Sequence, residues 1–72
     1  MQIYKNLGGN SGVMAFSIGP DYIVVKFRTG RPYTYSYKSA GKEKVEEMKR
    51  LALQGSGLNS YIMRYARMDY EK

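Results

Sequence analysis

Apolar and polar residues alternate with period two through three stretches in the first half of the chain, a pattern that predicts three strands. The first, over 13–18, sets Met14, Phe16 and Ile18 against Val13, Ala15 and Ser17. Gly19-Pro20-Asp21 turns the chain into a second strand over 22–28, where Ile23, Val25 and Phe27 oppose Val24, Lys26 and Arg28. Thr29-Gly30-Arg31 has hairpin length and leads to Pro32-Tyr33-Thr34-Tyr35-Ser36-Tyr37, whose three tyrosines share one side. Residues 1–7, anchored by Ile3, form a candidate fourth strand at the edge. Turning the tyrosines outward would bury Thr34, Ser36 and Lys38, and an unpaired buried lysine is strongly unfavourable. Tyr33 and Tyr35 are therefore expected in the core with Met14, Phe16, Ile23, Val25 and Phe27, and Tyr37 half covered at the strand end.

The period then lengthens. Val45, Met48, Leu51 and Ala52 form one apolar stripe, predicting a helix over 39–54 with Ser39 or Gly41 as N-cap and Gly55 as its stop. Glu43, Glu46 and Glu47 come early and Lys49 and Arg50 late, which suits the helix dipole, with Glu46 and Arg50 as an i,i+4 pair. A second helix is expected after a Ser56 N-cap, burying Leu58, Tyr61, Ile62 and Tyr65. Residues 68–72 are expected to fray unless Met68 or Tyr70 pins them. The fold class is α+β: a three-stranded antiparallel meander, with the N-terminal strand as a candidate fourth, covered on one face by two C-terminal helices in a single domain spanning 1–72.

Composition narrows the chemistry. A chain of 72 residues buries only about 60% of its unfolded surface, so stability is marginal and few core positions can be spared. There is no cysteine and no histidine, which removes disulfides, thiolate metal sites and the usual proton shuttle, so neither metal nor cofactor is expected. The acids cluster on the first long helix or stand alone, as Asp21 and Asp69 do, so no carboxylate pair spans a cleft and the chain is not read as an enzyme. The first residues lack a basic, then apolar, leader pattern, and no apolar run reaches the roughly 20 residues that span a bilayer. A cytoplasmic protein with no membrane contact is the resulting expectation. Gly8-Gly9-Asn10-Ser11-Gly12 leads into a strand without a Gly-Lys-Ser/Thr ending, and reads as a turn rather than a phosphate loop.

Charge points to a partner class. Twelve Lys and Arg against six Asp and Glu give +6, a balance that favours polyanions through counterion release. On the predicted outer side of the sheet, Lys26, Arg28, Arg31 and Lys38 would contact phosphates, with Thr34 and Ser36 donating hydrogen bonds. That face lacks aromatic rings apart from Tyr22, so the expected mode is backbone-directed binding of RNA or DNA. Ser56, Gly57, Asn59 and Arg64 form a second candidate, an anion pocket at a helix N-terminus that would take a small nucleotide. The alternative to both is a protein-interaction or adaptor module, self-associating through an exposed edge near Tyr22, Val24 and residues 1–7.

Two segments, Phe27-x-x-Gly30-x-x-Tyr33-x-Tyr35 and Gly55-x-Gly57-Leu58-Asn59-x-x-Ile62, resemble the KTSC domain, over about residues 11–65. That family is named for a C-terminal extension of some lysyl-tRNA synthetases and occurs as free-standing bacterial and phage proteins. The resemblance implies a free-standing single-domain member with 10–66 as its core. RNA binding has been suggested for the family, whose function is unestablished, and no catalytic residue set comes with it. These residues include no synthetase body, so a tRNA role does not carry over.

Overall fold

Among the described residues, alternation and tight turns build one antiparallel sheet in the order β1 (Gln2–Ile3), β2 (Val13–Ile18), β3 (Tyr22–Phe27), β4 (Pro32–Ser36). Helices complete an α+β fold. The computed structural model describes all residues except Gly8, Asn10, Ser11, Thr29 and Lys72. The readings that fall on Gly8, Asn10 and Ser11 of the glycine-rich loop and on Thr29 of the second connection lie outside the described residues.

Register decides which residues face the core. Phe16, Val25 and Tyr33 share one face with Ile18, Ile23 and Tyr35, while Ala15, Lys26 and Pro32 share the other with Ser17, Val24 and Thr34. Between Val13 and Ala15 the strand slips: Val13 pairs with Phe27 and Ala15 with Lys26, so two residues of β2 span one of β3. Such a bulge reverses alternation on its far side. Val13 is consequently buried at 1% exposure and Met14 stands 42% exposed, the reverse of strict alternation. β1 is corrected in the same way. Ile3 pairs with Ala15 on the outer face and is 79% exposed, while Tyr4 turns inward, its ring edge-on to Phe16 at 6.5 Å. A one-residue step changes faces, so the anchor is Tyr4 rather than Ile3.

The helical half begins earlier than the apolar stripe predicts. Ser36 ends β4 and caps α1 (Tyr37–Ala40) in a reciprocal box: its hydroxyl accepts from the Ser39 N–H, and the Ser39 hydroxyl accepts from the Ser36 N–H, both at 3.1 Å. Gly41 then separates α1 from α2 (Lys42–Gln54). The expected single helix is therefore two, and Lys38 belongs to α1 rather than to the sheet. α2 buries Val45, Met48, Leu51 and Ala52, the four positions of the stripe. Gly55 closes it at φ 87°, its N–H reaching the Leu51 carbonyl at 3.0 Å. A Cβ at Gly55 would also lie 2.7 Å from the Lys5 Cβ, where Leu7 N–H donates to the Gly55 carbonyl at 2.7 Å. Handedness and close approach both require glycine there.

On α2 the ion pairs are Glu46–Lys49 at 2.9 Å and Glu47–Arg50 at 2.6 Å, not Glu46–Arg50. Glu46 also accepts from the Tyr37 hydroxyl at 2.6 Å, which draws its carboxylate to the side where Lys49 lies. α3 (Leu58–Tyr61) is capped by Gly57 at φ 83°, not by Ser56, and runs into a π-helical turn over Ile62–Ala66. The wider turn moves the buried face to Leu58, Ile62 and Ala66. Tyr61 is half-buried and Tyr65 is 54% exposed, against the expectation for a 3.6-residue period. One buried cluster joins Phe16, Ile23, Val25 and Tyr35 of the sheet to the α2 stripe and to Leu58, Ile62 and Ala66. Each such large apolar side chain contributes about 1.5–3 kcal/mol. Among the described residues no helix is long and apolar enough to cross a membrane.

Candidate functional site

Asp69-Tyr70-Glu71 is held at four points after the π-helical turn. Asp69 N–H donates to the Ala66 carbonyl at 3.0 Å, and the Asp69 carboxylate pairs with Lys44 at 2.6 Å. Lys44 Nζ also donates to the Tyr65 carbonyl at 2.7 Å. Glu71 N–H donates to the Thr34 carbonyl at 2.7 Å, covering part of the β4 edge, and the Ser36 hydroxyl donates to the Glu71 carboxylate. Asp69 to Glu71 are therefore pinned rather than frayed, and the expectation for Lys72 lies outside the described residues. This anchoring sets the Tyr70 ring 4.7 Å from Tyr33 and 6.4 Å from Tyr35, while Phe27 lies edge-on to Tyr33 at 5.9 Å.

This aromatic group opens into two depressions. One, of about 410 Å³, is lined by Phe27, Tyr33, Tyr35 and Tyr70, by Met63 and Met68, and by Arg28 and Arg67 beside Gly12. The other, of about 440 Å³, is lined by Arg31, Pro32, Tyr33, Thr34, Tyr70 and Glu71. A third, also about 440 Å³, places Lys38 and Ser39 against Tyr70 and Glu71. Tyr70 borders all three.

The sheet-face residues thus separate. Lys26 lies half-buried on the outer face beside Ala15 and Pro32. Ser36 is buried, its hydroxyl occupied by the α1 cap and by Glu71. Arg28 lies just beyond β3 and Arg31 just before β4, and these two, with Thr34 and Lys38, come to the rim around Tyr70. Lys26 lies within β3, whereas Arg28, Arg31 and Lys38 lie beyond the strand ends, in the lining of depressions that Tyr70 borders. Sequence reasoning missed Arg67, Met63 and the aromatic role of Tyr70. The signal was present in Asp69-Tyr70-Glu71, where acid, ring and acid alternate as in an extended segment.

At the second candidate the backbone donor is already used. Leu58 N–H, the first of α3, donates to the Tyr4 hydroxyl at 3.3 Å. The Ser56 hydroxyl accepts from Gln54 Nε2 at 3.1 Å. Asn59 lies beside Gly12, and Arg64 is exposed on the π-helical turn. Gly57 serves the left-handed cap.

Charge is unevenly spent. The hydrogen bond from Tyr37 and then the one from Lys49 hold the Glu46 carboxyl below its usual range, and Arg50 does the same to Glu47. Arg28, Arg31 and Arg67 make no ion pair among the described residues. Burial pushes the Tyr35 phenol up to about 12, with Tyr33, Tyr70 and Asp69 adding to the effect. Comparison of the chain with protein-family models, curated proteins and solved structures finds no match.

Proposed function

We propose that this chain binds single-stranded nucleic acid at the Tyr33–Tyr70 groove. One observation carries the reading: a ring pair is bordered by Arg28, Arg31 and Arg67, none with a carboxylate partner among the described residues. Arginines with free forks bind phosphate, and the open side of a half-buried ring such as Tyr33 or Tyr70 stacks a splayed base at about 1–3 kcal/mol per base. Duplex DNA or RNA keeps its bases stacked and offers nothing to the rings. Glu71 is the one acid in the lining among the described residues, and its carboxylate already accepts the Ser36 hydroxyl. Phe27, Tyr33 and Tyr35 of the KTSC-like motif all line the groove, and RNA is the ligand suggested for that family.

Fluorescence anisotropy with labelled single-stranded RNA, single-stranded DNA and duplex, at two salt concentrations, tests the reading. Single strands should bind more tightly than duplex. Two to three neutralised phosphates at about −0.7 each give a log–log salt slope between about −1.4 and −2. Arg28→Glu/Arg67→Glu should abolish binding, whereas Lys26→Glu on the outer face should leave it within about twofold. Binding that Lys26→Glu removes and the double variant spares would return the site to the sheet. Equal competition by polyglutamate would overturn nucleic acid as the ligand.

A further inference from the structure

The depression beside Arg28 and Arg67 and the one beside Arg31 and Thr34 share two lining residues, Tyr33 and Tyr70. The tilted ring pair is therefore a partition with a different chemistry on each side. One side is aromatic and methionine-rich, with Arg28 and Arg67. The other is polar, with Arg31 and Thr34. We propose that the unit recognised is a dinucleotide step lying across this ring partition. This inference rests on the nucleic-acid reading and adds its register.

The first subsite suits a base, since apolar rings and methionine sulfurs offer a flat, polarisable wall. Arg28 and Arg67 take the phosphate attached to that nucleotide. The linking backbone then crosses the edge of Tyr33 and Tyr70. On the far side Arg31 holds the second phosphate and the Thr34 hydroxyl reaches phosphate or sugar. A mononucleotide fills only one subsite. A dinucleotide engages both, and because the second contact is made within one molecule it adds affinity without a second association cost. A third nucleotide lies beyond the partition and adds little.

Competition against a labelled oligouridylate at low salt tests this, using UMP, pUpU and pUpUpU, with the matching deoxythymidylate series to separate ribose from deoxyribose chains. pUpU should compete about tenfold better than UMP, and pUpUpU less than about threefold better than pUpU, as expected for one added contact of about 1.4 kcal/mol. A step of that size in either sugar series supports the proposal. Arg31→Ala should cut the advantage of pUpU over UMP from about tenfold to less than about threefold. Arg31 is exposed, so circular dichroism should show the variant folded. Equal competition by UMP and pUpU, or equal loss of both in Arg31→Ala, overturns the dinucleotide register while leaving the groove as the binding site. Failure of the labelled oligouridylate to bind overturns both.

Discussion

Tyr33 and Tyr35 stand two residues apart on β4, on the same face of the sheet. They do different things. Tyr35 is 2% exposed inside the main cluster, and burial pushes its phenol up to about 12. Tyr33 packs at the margin of that cluster, half-buried, where it lines two depressions and meets Tyr70. A row of tyrosines with period two is thus neither core nor stacking surface as a whole, because cover varies along the strand. Truncation separates the two. Tyr35→Ala should cost about 3–5 kcal/mol, the range for large aromatic side chains in cores, which is enough to unfold most of a small domain. Tyr33→Ala should cost less than about half of that and keep the fold, yet weaken single-strand binding by about 5- to 150-fold through the lost stacking. Urea denaturation and anisotropy read the two losses. Equal destabilisation by both variants would erase the distinction.

Alkaline pH sharpens the same contrast. In the unfolded chain Tyr35 ionises at about 10, whereas in the folded protein it ionises at about 12. Between those values the unfolded state has released the proton and the folded state has not. The stability that Tyr35 contributes is therefore complete below about 10 and falls as pH rises toward 12. Tyr37, raised chiefly by its hydrogen bond to Glu46, and Tyr61, raised chiefly by burial, act in the same direction. Urea midpoints measured across this range should decline, and Tyr35→Phe should flatten the decline. A slope unchanged in Tyr35→Phe would mean that this phenol is not the buried one.

What the chain announces, and what it hides, follows from range. The α2 stripe, the αL stop at Gly55 and the hairpin at Gly19-Pro20-Asp21, where Gly19 N–H donates to the Tyr22 carbonyl at 3.0 Å, depend on neighbours within a few residues and were legible. The slip in β2 was not, because a bulge is defined by the partner strand: Met14 differs from its neighbours only in where Phe27 and Lys26 pair. The π-helical turn likewise escapes a template with a fixed period, which cost Tyr65 its predicted burial. At the site, the arginines of the two strand ends were legible as charges but not as neighbours of Tyr70. Contacts such as Glu71 to Thr34 and Asp69 to Lys44 join residues far apart in sequence and carry no local signature.

Two lysines of α2 put the division between structure and site to its finest test. Lys44 binds one carboxylate, Asp69, and one backbone carbonyl, Tyr65. Lys49 also binds one carboxylate, Glu46, and one carbonyl, that of Pro20 at 3.2 Å, with its ammonium 5.6 Å from the centre of the Tyr37 ring. Lys44→Gln and Lys49→Gln remove the same charge, so any loss of general attraction to a polyanion is matched between them. Both should change stability by less than about 1 kcal/mol, as expected for ion pairs of partly exposed groups. They should differ in binding. Lys44 anchors the segment that carries Tyr70, so its loss lets that ring leave Tyr33 part of the time and should weaken single-strand binding by about threefold, equivalent to well under 1 kcal/mol. Lys49 ties α2 to the β2–β3 turn, away from the groove, and Lys49→Gln should bind as the parent does. Equal weakening in the two variants would mean that charge alone governs the affinity and that the position of Tyr70 does not.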